Sequence, residues 1–146
     1  MTTMTESRPT IDDGGDHAQD RRAIERIIAD IETGFNGNDP DLAVEHFVEN
    51  ATATTATGAR VTGWASLLDA HRAGLGGPLR DQHAHYRVED IVFIRPDVAL
   101  AFKQAWATDA TGELLDPDVA MVATYVMVKH DERWWIVSRA NTLVAR

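Results

Sequence analysis

Hydrophobic residues fall at helical spacing soon after the start of the chain. Ile24, Ile27, Ile28, Ile31 and Phe35 form one apolar stripe, and polar residues fill the positions between them. This predicts an amphipathic helix opening at Asp20, whose carboxylate can cap it, and ending around Gly34, Gly37 and Asn38. Pro40 then opens a short second helix carrying Leu42, Phe47 and Val48. The Thr-rich stretch from Ala51 to Gly63 reads as two short strands joined at Gly58. A third helix follows, with Trp64, Leu67, Leu68, His71 and Leu75 on its stripe and Gly74, Gly76, Gly77 and Pro78 at its end.

Beyond residue 81 the period changes to two. Strands are predicted at 82–94, 98–108, 119–128 and 134–144, with a turn at Arg95-Pro96-Asp97 and a hairpin at KHDER. Helices first and an antiparallel meander afterwards is an α+β plan. In the strand 98–108, Val98, Leu100, Phe102, Gln104 and Trp106 share one face, and Ala99, Ala101, Lys103, Ala105 and Ala107 share the other. Both faces of this strand and the next are largely apolar, so both sides of the sheet need cover. Helices can take one, and a second copy of the chain is the expected partner for the outer one, giving a homodimer. The face bearing Phe102, Gln104 and Trp106 is expected to be the concave one.

The remaining composition narrows the classes. With 146 residues the chain suits one domain, residues 21–146, behind an N-terminal tail, residues 1–20, too polar to order itself. The absence of cysteine excludes disulfides and thiolate metal sites and fits a cytoplasmic protein. A net charge of −9, from 14 basic and 23 acidic side chains, argues against nucleic acid. No apolar run reaches membrane-spanning length, and no signal peptide is recognisable.

Few residues announce chemistry. His71 stands on an apolar helical stripe, either as a satisfied core histidine or as a group facing a pocket near its neutral titration range. His83 and His85 alternate on one strand face but lack an acidic ligand at metal-site spacing, so no metal is expected. Gln104 between Phe102 and Trp106 suits ligand orientation, or a buried amide bonded to backbone. Tyr125, Arg139 and Asn141 are further polar candidates whose facing depends on register. If Arg139 is buried, it needs a carboxylate or a ligand oxyanion. Glu89 and Asp90 are adjacent, so they face opposite sides and form no paired-carboxylate site. No phosphate loop, dinucleotide fingerprint or Ser-His-Asp arrangement is present, and no cofactor is expected.

Three stretches resemble a known superfamily: GFNGNDPDLAVEHFVENA, VTGWASLLDAH and ERWWIVSRANT. Their order is similar to the nuclear transport factor 2-like superfamily, over about residues 21–144, and within it to the SnoaL-like branch, with small members in polyketide and enediyne biosynthetic clusters. The resemblance implies a cone-shaped curved antiparallel sheet packed on three N-terminal helices, a cystatin-like α+β barrel with an apolar pocket. Ketosteroid isomerases of this superfamily use a helix-one tyrosine, a first-strand aspartate and a later-strand acid. These positions fall on Ile31, Thr55 and Thr124 or Tyr125, so that chemistry is not supported. The resemblance instead implies a pocket protein that binds, and cyclises or isomerises, an apolar polyketide intermediate. His71 and Tyr125 are the catalytic candidates, and Phe35, Phe47, Trp64, Phe102, Gln104, Trp106, Arg139 and Asn141 the ligand-binding ones. The alternative is a non-catalytic accessory protein that shields an intermediate or assists a synthase.

Overall fold

The computed structural model describes residues 7–145. The elements run α1 (Ala18–Asn36), α2 (Pro40–Val44), β1 (Phe47–Thr54), β2 (Arg60–Thr62), α3 (Trp64–Leu75), β3 (His83–Arg95), β4 (Val98–Thr108), β5 (Met121–His130) and β6 (Arg133–Leu143). Among the described residues no helix is long and apolar enough to cross a membrane.

The apolar stripe of α1 is buried as its period requires, with Ile24, Ile27, Ile28 and Ile31 at most 5% exposed. The start of the helix differs from expectation. It opens at Ala18, and Asp20 sits inside the first turn. The Asp20 carboxylate accepts from Trp134 Nε1 at 2.9 Å and lies 3.2 Å from Lys129 Nζ, tying α1 to the β5–β6 hairpin. Partial burial pushes the Asp20 carboxyl up, but the bonds from Trp134 and Lys129 outweigh it and hold the group below its ordinary value.

Just ahead of α1 the chain touches the sheet at Asp13 and His17, whereas residues 7–12 are exposed. His17 stacks on the Phe93 ring with centroids 4.1 Å apart, and the Asp13 backbone N–H donates to Phe93 O at 2.9 Å. The Phe93 ring on β3, buried between His17 and Trp134, gives the chain ahead of α1 an apolar surface to pack on. The first six positions of the expected tail lie outside the described residues.

Gly34 does not end α1; the helix continues to Asn36. It is buried where α2 crosses, and a Cβ there would lie 2.7 Å from Ala43 N and 3.0 Å from Asp39 O. The glycine lets the two helices touch backbone to backbone, and an added methyl group would force them apart. Asp39 caps α2 by accepting from the Leu42 N–H at 3.2 Å. Phe47 and Val48, expected on this helix, open β1 instead, because α2 is only five residues long.

The six strands form one open, curved sheet in the order β2-β1-β6-β5-β4-β3. Neighbours are antiparallel except β1 and β6, which run parallel, with Thr52 opposite Ser138 and Ala53 opposite Arg139. Register shifts at Val88/Asp90, Phe93/Arg95 and Val126/Met127 mark bulges that bend the sheet. The free edge of β3 is covered by α1. Asn36 exchanges both backbone bonds with Ala84, at 2.8 and 2.9 Å, and Glu32 accepts from the Tyr86 N–H at 2.6 Å.

The inner face of β4 is the alanine face. Ala99, Ala101, Lys103 and Ala105 are buried, whereas Val98, Leu100, Phe102 and Gln104 lie half-buried on the convex side. This reverses the expected orientation. Small side chains leave room on the inner face for helices and for bulky neighbours such as Tyr125, Met127 and Ile136.

Candidate functional site

Beneath the concave face lies a cavity of about 450 Å³. Helix α1 walls it with Ile31 and Phe35, and α3 with Leu67, His71 and Leu75. The floor comes from β1 and from β3 to β6, including Lys103, Ala105, Arg139 and Asn141. The lining is mainly apolar, with a few polar groups converging, which is the usual make-up of a small-molecule site.

Two cations dominate its chemistry. Lys103 is 3% exposed and Arg139 is 8% exposed. Among the described residues, neither forms an ion pair with a carboxylate. Lys103 Nζ sits 3.7 Å above the Tyr86 ring centroid and 5.6 Å from that of Tyr125. Burial, reinforced by the charge of Arg139 and opposed by Glu32, pulls the Lys103 ammonium down to about 7. Part of the Lys103 population is therefore a free amine at neutral pH.

Arg139 lies directly opposite Tyr125 in the β5–β6 ladder, and its guanidinium carbon is 5.5 Å from the Phe47 ring centroid. Its Nε has no hydrogen-bond partner, nor do the Tyr125 hydroxyl and Asn141 Oδ1, all three being buried. Burial pushes the Tyr125 hydroxyl up to about 12, although Arg139 opposes the shift. It stays protonated at neutral pH, but Tyr125, expected as a catalytic residue, packs behind the cavity lining and not on it. Burial also raises the Tyr86 hydroxyl, and the neighbouring Tyr125 adds to the effect.

His71 Nδ1 lies 2.8 Å from Leu67 O. A carbonyl only accepts, so Nδ1 carries the proton and Nε2 keeps its lone pair. That lone pair faces Arg139 NH1 across a long 3.5 Å contact. Burial, then the Arg139 charge, lowers the imidazole to about 4, against the bond to Leu67 O. His71 is thus a neutral group that orients Arg139, and a weak base.

The other candidates are dispersed. Phe35 joins the cavity wall. Phe47 is buried in the core, and with Trp64 it borders a separate open groove ringed by Asp39, Asp41, Glu45 and Glu49. Trp64 Nε1 donates to Val44 O at 3.1 Å, which makes it a packing residue. Phe102 and Gln104 face away from the cavity on the convex side, since their strand turns its alanines inward. Trp106 touches the cavity lining, but by register it shares the outer face, where its ring centroid lies 5.9 Å from that of His85. The polar run after the two tryptophans splits by alternation. Ser138 faces outward and bonds Thr52 at 2.9 Å, while Arg139 and Asn141 reach the cavity.

Lys103, Tyr86 and Glu32 did not stand out in the sequence. The signal for Lys103 was a lone charge alternating with four alanines on one strand face, a position where lysine has no route to water if that face is inward.

Comparison with known proteins agrees with this architecture. The chain matches the model of the SnoaL-like domain over residues 16–140. No curated protein matches it. Among solved structures it is similar to a domain of unknown function with a cystatin-like fold from Nostoc punctiforme, at 18% identity over 88% of this chain and 80% of that one, with a TM-score of 0.77. A provisionally assigned scytalone dehydratase from Novosphingobium aromaticivorans is 21% identical over 87% and 85% of the two chains, with a TM-score of 0.71. A ketosteroid isomerase-like protein from Erwinia carotovora atroseptica is 12% identical over 88% and 99%, with a TM-score of 0.70. The sheet order, the three covering helices and the family match over most of the chain lead to one assignment: the chain belongs to the SnoaL-like domain family, within the nuclear transport factor 2-like, cystatin-like α+β fold.

Proposed function

We propose that the protein binds a small, largely apolar polyketide-type intermediate of cytoplasmic natural-product biosynthesis and promotes its cyclisation or isomerisation. The observation that carries this reading is the cavity of about 450 Å³ with unpartnered polar atoms of Arg139 and Asn141 on a mainly apolar lining. Cyclisations and isomerisations of this class begin with loss of a proton next to a carbonyl. Lys103, partly a free amine at neutral pH, is the base in this reading. Arg139 stabilises the oxygen that gains charge, and His71 positions Arg139. The neighbour named as a dehydratase and the one named isomerase-like are consistent with such chemistry on this fold.

Hydrogen–deuterium exchange at the carbons beside the carbonyl of 2-tetralone, followed by NMR in D2O, tests the step without the natural substrate. The wild-type protein is expected to accelerate exchange roughly tenfold or more over buffer, with a rise as Lys103 deprotonates through about 7, and Lys103→Met to remove the gain. Binding of 2-tetralone with no acceleration contradicts the catalytic reading. It favours the accessory one, in which the protein shields an intermediate, a reading supported by the cavity lining, which among the described residues has no carboxylate to pair with His71.

The convex sheet face, with Val98, Leu100, Phe102 and Val126 half-buried, is assigned in the same reading to a second copy of the chain. Sedimentation velocity is expected to give a dimer that Phe102→Glu dissociates. A wild-type species at the 16.1 kDa of one chain contradicts the assignment.

A further inference from the structure

The cavity floor holds more positive charge than the protein around it neutralises. Lys103 comes from β4 and Arg139 from β6, and both border Tyr125 on the strand between them. The two like charges disfavour each other across Tyr125, and each has left water without gaining a carboxylate. Glu32 is the nearby acid acting on Lys103, but its carboxylate already accepts the Tyr86 N–H at 2.6 Å and lies 3.6 Å from His85 Nδ1. Arg139 Nε and the Tyr125 hydroxyl are donors without acceptors, in a protein whose net charge is −9.

We propose that the cavity is built for a ligand carrying an anionic oxygen group, a carboxylate or an enolate, on an apolar body. This deepens the small-molecule reading above and rests on it. The anion lies between Lys103 and Arg139, where charge-assisted bonds replace the water both cations have lost. Its body extends along the apolar wall of Phe35, Leu75 and Ala105. Asn141 Oδ1, an acceptor without a donor, takes a ligand hydroxyl. A neutral ligand would satisfy one donor but leave the buried Arg139 charge, and that of protonated Lys103, uncompensated, so the arrangement selects for the anion.

A matched set of probes tests this on the full chain by calorimetric titration at pH 7. The set is 2-naphthoate, its neutral isostere 2-naphthamide, and 1-(2-naphthyl)butane-1,3-dione, whose enolate is read by its absorption. The carboxylate is expected to bind roughly tenfold tighter than the amide, with the preference abolished in Lys103→Met and in Arg139→Gln. An enolate band that appears on binding to wild type and is absent in both variants supports the enolate as the natural form; a carboxylate preference without that band supports the carboxylate. If Arg139→Gln fails to fold by circular dichroism, Lys103→Met alone decides. Equal affinity for naphthoate and naphthamide with no enolate band overturns the inference and leaves the small-molecule reading standing. Failure of all three probes to bind overturns both.

Discussion

Replacing Lys103 with methionine is expected to stabilise the empty protein below pH 7 by about 3 kcal/mol, a rise of roughly 5–10 °C in melting temperature. The direction follows from burial. The ammonium of Lys103 has exchanged water for alanines and two tyrosine rings, and ring contacts recover only part of its hydration. Its pKa falls from 10.5 to about 7 on folding, so between these values the unfolded chain binds the extra proton. Stability contributed by this site therefore rises with pH from about 7 to 10.5; below about 7 both states are protonated and the full penalty is present. Methionine has a similar length and no charge, so the variant loses that slope and gains most at acid pH. The groups facing the site from the packed elements are Glu32 on α1, His71 on α3, Tyr86 on β3, Tyr125 on β5 and Arg139 on β6. They remain in both proteins, so the difference between the two pH–stability curves isolates Lys103. Thermal melts from pH 5 to 10 check it. A variant less stable than wild type at pH 6 would mean that the ammonium has a partner in the empty cavity and that the charge imbalance does not exist.

The same residue shows where sequence reading stopped. Period-two alternation in β4 separates Val98, Leu100, Phe102 and Gln104 from Ala99, Ala101, Lys103 and Ala105, but alternation has no sign. Hydrophobicity favours the bulky set as the inner face. Packing decided the other way, because the inner side must also hold Tyr125, Met127, Ile136, two helices and a cavity. That reversal moved Gln104 and Phe102 out of the candidate site and Lys103 into it. Arg139 and Asn141 reach the cavity because β6 alternates in phase with Tyr125 on β5, a register set after the bulge at Val126/Met127 that no local pattern reveals.

Elements with a strong helical period were easier to read. The Ile stripe of α1 and the Leu67–Leu68 pair of α3 are buried as their spacing requires, and the limits of β3 to β6 lie within about two residues of those expected. The ends misled. Asp20 resembles a cap but bonds Trp134, more than a hundred residues away along the chain. Gly34 resembles a stop but marks a helix crossing. Both residue types have a local and a tertiary use, and only the fold shows which one applies.

Ligand binding and the buried charge imbalance alike depend on a hollow that stays unfilled until a guest arrives. Ala105 lies on its floor and is 3% exposed, so a larger side chain there can grow only into the hollow or the packing around it. The most direct test is a fluorescence titration with prodan, a neutral naphthalene ketone whose emission moves to the blue in apolar surroundings, on wild type and on Ala105→Phe. The account predicts a saturable blue shift at about one dye per chain for wild type. It predicts loss of that signal in the variant, with the melting temperature kept within a few degrees. A wild-type protein that leaves the dye in water, or a folded Ala105→Phe variant that binds it as well as wild type, contradicts the account.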